Sequence, residues 1–249
     1  MPTMIGCAGS SGSTFFSQLL DRHPELASGE ELQLFSKALL YDDYAFVLRR
    51  LWLIRLLGLG NQPYDQSRAV LRQLPSYGLS KRRVWGWVRD SASITELASC
   101  FQRHITDLTG KGGWVEKTPA NAICCGRFLE TFPRGRVIHL VRDPRDTILS
   151  LMKRTNNASP VFGAKTWLCR VASVFPYRRH PRVLEVRYED LVQHTPACLE
   201  RVCDFLGVPF QWNYFQTSEH SSRSLKKFKE HPTWNLSPDG LASVRSLGK

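Results

Sequence analysis

The sequence predicts an α/β fold in which helices flank a parallel sheet, and two observations support that prediction. Four short apolar runs, each typical of a strand, are followed by a loop and then by apolar residues at helical spacing. Repeated units of this kind form parallel sheets that helices cover on both faces. Residues 34–112 instead have a mainly helical pattern, which predicts a helical insertion or lid. We expect a single domain over residues 1–249 with this insertion inside it.

The first unit joins a strand at residues 4–8 to a Gly- and Ser-rich loop at residues 9–14. A glycine-rich turn between a strand and a helix presents backbone N–H groups and the positive end of the helix dipole to an anion. This loop is therefore a candidate phosphate cradle in a P-loop-like fold. A kinase-type loop carries Lys directly after its last glycine, whereas Gly12 is followed here by Ser13 and Thr14, which disfavours ATP chemistry. The sequence also leaves open that this loop is a structural turn that binds no ligand.

The other three units share a short apolar strand, and these strands are expected at residues 114–117, 137–141 and 183–186. Their helices are expected to open at Thr118-Pro119, Asp143-Pro144 and Thr195-Pro196, because proline suits the first position of a helix. The helix that Thr118 caps is expected to carry the apolar residues Ile123, Phe128 and Leu129. Ligands of such sheets bind beyond the carboxyl ends of the strands, so the loops that follow the strands are the place to look for a site.

The composition narrows the classes of partner and of site. The formal charge of +12 favours an anionic partner, and because the basic residues are spread along the chain we expect no nucleic acid. The seven cysteines form no CxxC pair and no Cys/His set with zinc spacing, so we expect no metal site. Their odd number and the adjacent pair Cys124-Cys125 favour reduced, buried thiols and hence a cytoplasmic protein. The most apolar stretch, residues 51–59, is interrupted by Arg55 and predicts no transmembrane segment.

Several motifs in a fixed order resemble one known family. These motifs are SSGST at residues 10–14, HPELASGEE at 23–31, EKTP at 116–119, VIHLVRDPRDTILS at 137–150 and RYEDLV at 187–192. Together they resemble the donor-binding landmarks of sulfotransferases, and the pattern is closest to tyrosylprotein sulfotransferases and related bacterial enzymes. The resemblance implies the sulfate donor 3′-phosphoadenosine 5′-phosphosulfate, the product adenosine 3′,5′-bisphosphate, and no metal.

The resemblance also implies which residues bind this donor. The 5′-phosphosulfate is expected at the loop residues Ser11, Gly12, Ser13 and Thr14, and Ser10 before them is also expected among the residues that bind the donor. Arg142 and Ser150 are expected at the 3′-phosphate, because an arginine fork matches a phosphate in geometry and charge. A surface ion pair of Arg142 with Asp143 or Asp146 is the alternative. Tyr188 either lines the nucleotide pocket or packs under the following helix.

Ser10 departs from the family pattern, which usually carries Arg or Lys at this position. A positive charge near the sulfonate is therefore missing from the loop itself. Lys117, or a lysine from the cluster at residues 226–229, is a candidate to replace that charge.

Two residues are implied as the catalytic groups. Lys117 matches the family's lysine that contacts the donor and the leaving oxygen, where its charge stabilises the transition state. Glu31 matches the family's glutamate, which acts as general base toward the acceptor hydroxyl. The sequence leaves open whether Glu30 or Glu31 faces the site, and whether Lys117 is instead a solvated side chain at a strand end.

We therefore predict a sulfotransferase that moves the sulfuryl group to a hydroxyl or phenol on a small molecule or peptide. One alternative is a P-loop kinase-like phosphotransferase that binds magnesium-ATP. A second is a non-catalytic nucleotide- or RNA-binding module, which the departure at Ser10 and the high net charge favour. The presence of both Glu31 and Lys117 favours the enzyme, because a binding module has no reason to keep them together.

Overall fold

The computed structural model describes residues 2–46, 73–154 and 159–216, and its centre is a five-stranded sheet. The strands are β1 (Pro2–Cys7), β2 (Leu26–Ser28), β3 (Gly113–Lys117), β4 (Arg136–Val141) and β5 (Val183–Arg187). They lie in the order β2-β3-β1-β4-β5, and every neighbouring pair is parallel. The predicted α/β fold with a parallel sheet is confirmed.

Ten α-helices and three 3₁₀-helices with both ends in the described parts of the chain surround this sheet. The α-helices are α1 (Ser13–Asp21), α2 (Ala38–Asp42), α3 (Lys81–Asp90), α4 (Ile94–Thr109), α5 (Cys125–Thr131), α6 (Pro144–Arg154), α7 (Pro160–Val174), α8 (Tyr188–Gln193), α9 (Thr195–Leu206) and α10 (Trp212–Gln216). The 3₁₀-helices are Leu74–Tyr77, Pro119–Cys124 and Phe175–Tyr177. No helix in these ranges is long and apolar enough to cross a bilayer.

Successive residues of the central strands enter two different hydrophobic cores, because side chains alternate between the faces of a strand. On β1, Met4 packs into the core formed with α3, α4 and α5, whereas Ile5 packs into the core formed with α1, α8 and α9. Trp114 and Val115 divide in the same way on β3. Both faces of the sheet are therefore covered, and its carboxyl edge is where a site can open.

The edge strand β2 was missed by the sequence analysis, because three residues carry too short a pattern to identify a strand. A buried lysine holds this strand in place. Lys111 Nζ donates to the carbonyl oxygens of Asp21 at 2.6 Å and Leu26 at 2.9 Å. The carboxylate of Asp21 accepts from the backbone N–H of Ser28 at 3.1 Å. Burial lowers the pKa of Lys111, and the nearby Asp21 opposes that shift.

The described parts of the predicted insertion, residues 34–46 and 73–112, are mainly helical. The longest helix in these described parts, α4, begins after the capping residue Ser93, whose hydroxyl accepts from the N–H of Glu96, and it is followed by the C-cap residue Gly110. Phe101 of α4 stacks on Trp114 of β3 with ring centroids 6.1 Å apart. These helices therefore share a core with the sheet. The apolar stretch at residues 51–59 lies outside the described residues, and a role of the insertion as a lid stays a prediction.

Two sequence expectations about Thr118 and Ile123 were wrong in detail. Thr118 does not cap a helix with its side chain, because its hydroxyl donates instead to the buried carboxylate of Glu116 at 2.6 Å. Residues 119–124 form a 3₁₀-helix before α5, and this tighter winding leaves Ile123 48% exposed. Phe128 and Leu129 are buried as expected.

The expectation of buried thiols is confirmed for five of the seven cysteines, namely Cys7, Cys124, Cys125, Cys198 and Cys203. Cys100 is half-buried, and Cys169 on α7 is exposed, which corrects the expectation for that residue. All seven are free thiols in the structure.

Candidate active site

The Gly- and Ser-rich loop connects the carboxyl end of the central strand β1 to α1. Ser10 and Gly12 both have a left-handed backbone, with φ of 66° and 85°. Turns of this kind form concave sites that bind anions through backbone N–H groups. Gly12 occupies the N-cap position of α1, and no side chain caps this helix end. The loop therefore leads into a helix start that no side chain caps, and the binding of an anion there stays a prediction.

Arg142 follows β4 directly, and its guanidinium lies beside this loop. Its Nη1 donates to the carbonyl of Ser10 at 3.3 Å, and its Nη2 lies 3.7 Å from Oδ2 of Asp146. The guanidinium also lies over the ring of Tyr188, at 4.6 Å from the ring centroid. The surface alternative for Arg142 is thus half right, because the contact with Asp146 exists while the side chain is only 17% exposed.

Two further side chains hold the backbone on either side of Arg142. Trp167 of α7 donates its indole N–H to the Arg142 carbonyl at 3.0 Å. The carboxylate of Glu189 accepts from the N–H of Asp143 at 2.8 Å. Tyr188, next to Glu189, has its ring against Gly12, and burial raises the pKa of its phenol. Helices α7 and α8 therefore orient Arg142 toward the loop.

Helix α6 runs past the same loop and brings a second guanidinium to it. A Cβ atom added to Gly9 would lie 3.1 Å from Nη2 of Arg154. The sequence analysis missed Arg154, although its position four residues after Ser150 places both on one helix face. Ser150 itself is half-buried on α6. The positive charge that Ser10 lacks is therefore present near the loop on Arg154.

Glu31 and Lys117 lie in contact at the carboxyl end of β3. Lys117 Nζ lies 3.0 Å from Oε1 of Glu31, and the lysine side chain is 1% exposed while that of Glu31 is 37% exposed. Lys117 pairs in register with Ile5 of β1, so this ion pair is next to the strand that leads into the loop. The structure thus brings Glu31 to Lys117, whereas the carbonyl of adjacent Glu30 accepts from the hydroxyl of Tyr77 at 2.6 Å.

A buried carboxylate that the sequence analysis missed lies next to this pair. Glu116 precedes Lys117 on β3 and is 1% exposed. It accepts hydrogen bonds from the backbone N–H groups of Leu32 and Gln33, directly after Glu31. No local pattern marks this contact, because Leu32 and Gln33 lie 84 and 83 residues before Glu116 in the sequence.

Ser11 Oγ in the loop, Arg142 Nε beside it and Thr147 Oγ1 on α6 are buried and have no hydrogen-bond partner among the described residues. Buried polar groups nearly always find a partner, so these atoms are suited to an anionic ligand with several oxygens. The lysine cluster at residues 226–229 and the segment at 234–238 lie outside the described residues.

A parallel sheet with a Gly- and Ser-rich loop and a Glu–Lys ion pair at its carboxyl edge defines an α/β protein with a candidate site at that edge. Residues 2–212 match the family model described as "Sulfotransferase family". The chain therefore belongs to this family of transferases. The predicted family is confirmed.

The chain is similar to two curated relatives at low identity. It is 24% identical over 228 residues to "Protein-tyrosine sulfotransferase 1" from Danio rerio, covering 84% of this chain and 53% of that protein. It is 24% identical over 218 residues to "Protein-tyrosine sulfotransferase" from Drosophila melanogaster, covering 84% of this chain and 38% of that protein. The chain therefore spans about half or less of the length of these relatives.

Two solved structures share the fold. The "Sulfotransferase Domain from the Synechococcus PCC 7002 Olefin Synthase" is 20% identical with a TM-score of 0.66, covering 100% of this chain and 95% of that chain. The "Sulfotransferase Domain from the Curacin Biosynthetic Pathway" is 20% identical with a TM-score of 0.61, covering 99% of this chain and 98% of that chain. At this identity the likeness shows the fold alone.

Proposed function

We propose that this protein transfers a sulfuryl group from 3′-phosphoadenosine 5′-phosphosulfate to a hydroxyl or phenol, with Glu31 as general base. The contact of 3.0 Å between Lys117 Nζ and Glu31 Oε1 carries this proposal, because it places an acid–base pair beside the anion-binding loop. The family match supports the reaction class. The two relatives named as protein-tyrosine sulfotransferases support a phenol as the first acceptor to try.

The donor site is proposed at the loop of residues 10–14 and the residues around it. The backbone N–H groups at the start of α1 and the hydroxyl of Ser11 suit the 5′ side of the donor. Arg142 and Ser150 suit a second phosphate, and Tyr188 closes the space between Gly12 and Arg142. Arg154 brings charge to the loop near Ser10. When bound, the donor supplies an activated sulfuryl group whose transfer leaves adenosine 3′,5′-bisphosphate.

The protein's own part in the reaction falls to two side chains. Glu31 takes the proton from the acceptor hydroxyl, and its partial exposure leaves it accessible to an acceptor. Lys117 is fixed by burial, so its ammonium group stabilises negative charge with little rearrangement. The ion pair also keeps the carboxylate of Glu31 oriented toward the site until an acceptor arrives.

Thermal-shift measurements with two nucleotides test the donor class. Adenosine 3′,5′-bisphosphate at 100 times its Kd should raise the Tm by about 5 °C or more, because a ligand that binds only the folded state adds about 2.7 kcal/mol. Magnesium-ATP should give no comparable shift. Stabilisation by magnesium-ATP alone would instead support the kinase-like alternative.

Turnover measurements with a panel of phenols and tyrosine peptides test the catalytic roles. Glu31→Gln and Lys117→Met should each lower kcat by about 10²–10³-fold, the range for loss of a general base or an electrostatic catalyst. Glu31→Gln should leave the affinity for adenosine 3′,5′-bisphosphate within about threefold of the parent, because the ion pair of this carboxylate is with Lys117 and not with a loop residue. Tight nucleotide binding without transfer to any acceptor would support the non-catalytic module.

A further inference from the structure

The segment that carries Glu31 has no regular secondary structure, and its position must therefore be fixed by other means. Residues 29–33 form neither a helix nor a strand. Gln33 has a left-handed backbone with φ of 55°, a conformation that residues with a side chain adopt at a cost. Backbone N–H groups in such a segment need partners outside it. Two of these N–H groups, those of Leu32 and Gln33, share one partner.

That partner is the carboxylate of Glu116. Its Oε1 accepts from the N–H of Leu32 at 3.1 Å and from the N–H of Gln33 at 3.2 Å. The same oxygen accepts from the hydroxyl of Thr118 at 2.6 Å, and Oε2 accepts from Asn121 Nδ2 at 2.6 Å. All four partners are hydrogen-bond donors, so the group acts only as an acceptor. Burial raises the pKa of Glu116, and these hydrogen bonds oppose that shift because they favour the carboxylate form.

Glu116 is itself held firmly. The amide of Asn121 also donates to the carbonyl of Ile5 at 3.1 Å, which ties the carboxylate to the central strand β1. The hydroxyl of Thr118 accepts from the N–H of Gln33 at 3.1 Å while donating to Glu116. Each of these side chains therefore restrains another through a hydrogen bond, although Asn121 Oδ1 has no hydrogen-bond partner among the described residues.

The same strand end also supplies the lysine that contacts Glu31. Glu116 and Lys117 are adjacent on β3, so the backbone contacts of Glu116 and the ion pair of Lys117 fix the Glu31 segment relative to one rigid element. The hydroxyl of Tyr77 donates to the carbonyl of Glu30, the residue before Glu31, and so holds the segment at a further point. The carboxylate of Glu116 binds the backbone directly after Glu31, and it thus restricts the positions that the Glu31 side chain can take.

We propose that Glu116 is a positioning residue for Glu31, which it aligns by binding the N–H groups of the two following residues. The proposal rests on the proposed role of Glu31 as general base. Glu116 is buried and its contacts are all internal, so it acts through Glu31 and has no contact with acceptor or donor in this role. The isosteric change Glu116→Gln removes the charge and sets an amide against the amide of Asn121, which weakens the cluster with little change in volume.

Hydrogen exchange tests this placement without any acceptor. In Glu116→Gln, exchange of the amides in residues 30–33 should rise about tenfold or more, while peptides from β1 and α9 keep their protection. Val202→Ala, which makes a small cavity in the core on the other face of the sheet, is the matched control for loss of stability and should not change exchange in residues 30–33 selectively. Unchanged exchange in that segment, or a rise shared by the whole chain, would overturn the proposal.

A double-mutant cycle tests the link to catalysis. With the donor and an acceptor from the phenol panel, Glu116→Gln should lower kcat by about 10–100-fold and leave the Kd for adenosine 3′,5′-bisphosphate within threefold, since small misplacements of a catalytic group have effects of this size. Added to Glu31→Gln, it should lower kcat by less than threefold further, because its effect passes through Glu31. Full additivity of the two changes would contradict the positioning role. A Glu31→Gln variant with unchanged kcat would instead refute the proposed base, whatever the exchange data show.

Discussion

Gly12 is the residue at which the loop, Tyr188 and Arg142 meet. Its φ of 85° lies in the left-handed region, which favours glycine. A Cβ atom added there would overlap Cε2 and Cδ2 of Tyr188, and the Tyr188 ring lies 4.6 Å below the guanidinium of Arg142. Glycine is therefore required for conformation and for space at the same position.

Gly12→Ala should weaken nucleotide binding more than it weakens the fold. The left-handed backbone costs a residue with a Cβ about 1–2 kcal/mol, and displacement of Tyr188 removes the support under Arg142. We expect the Kd for adenosine 3′,5′-bisphosphate to rise about tenfold or more by titration calorimetry.

Gly78→Ala is the matched control for this change. Gly78 also has a left-handed backbone, with φ of 63°, but a Cβ there meets nothing within 4 Å. It should lower the free energy of unfolding by a similar 1–2 kcal/mol and leave the Kd unchanged. Equal effects of the two variants on the Kd would show that the contact with Tyr188 has no role in binding.

Single residues could be predicted from the sequence where a local motif marks them. Gly12 lies in a Gly- and Ser-rich loop and Arg142 follows an apolar strand, and both lie where their motifs indicate. Glu116 has no such mark, because its partners come from a segment more than 80 residues earlier. Arg154 was not predicted as a site residue, because its place in the site depends on the distance between α6 and Gly9, and a sequence does not give that distance.

At the scale of elements, the neighbouring strands β4 and β5 pair a buried histidine with an exposed glutamate. His139 and Glu185 are directly opposite in the parallel register, and Nδ1 of His139 lies 3.3 Å from Oε2 of Glu185. His139 is 1% exposed, whereas the side chain of Glu185 is 46% exposed. Burial lowers the pKa of His139, and the Glu185 carboxylate opposes that shift.

Stability should fall in mildly acidic solution because of this histidine. With its pKa below 6.5 in the folded state, His139 contributes stability that is complete above pH 6.5 and is lost as pH falls through the folded pKa. The loss is at most about 1.4 kcal/mol per pH unit. His139→Gln should therefore lose less stability than the parent between pH 7.5 and pH 5.5 in urea denaturation.

Glu185→Gln provides the opposite comparison. It keeps His139 buried but removes the group that raises its pKa, so the loss of stability should continue to lower pH than in the parent. Parallel curves for all three proteins between pH 7.5 and pH 5.5 would exclude His139 as the source of the pH dependence.

Elements were predictable where a periodic pattern was long enough. The four strands with apolar runs were all predicted, because each contributes side chains to both cores and so contains at least two adjacent apolar residues. The strand β2 has only three residues, and its place depends on Lys111 from another part of the chain. The 3₁₀-helix at residues 119–124 was expected to be α-helical, because proline and apolar residues suit the start of either helix type.

At the scale of the whole molecule, the sheet order β2-β3-β1-β4-β5 places the loop after β1 between the ends of β3 and β4. Those two neighbours supply Lys117 and Arg142, so the proposed catalytic and phosphate-binding groups meet the loop from opposite sides. Strand patterns predict a parallel sheet but not the order of its strands. These residues could therefore be identified from the sequence and expected at one edge of the sheet. Only the fold shows on which side of the loop each of them lies.

The two cores on opposite faces of the sheet also determine which thiols can react. Burial raises the pKa of Cys7, Cys125 and Cys203 to about 12, so at pH 8 only about one thiol in 10⁴ is the reactive thiolate. Iodoacetamide should therefore modify the native protein at two sites, half-buried Cys100 and exposed Cys169. Intact-mass spectrometry should show two adducts in native buffer and seven after denaturation in urea. Rapid labelling of a third cysteine in the native protein would show that one of the two cores opens locally, and peptide mapping would identify which face of the sheet it covers.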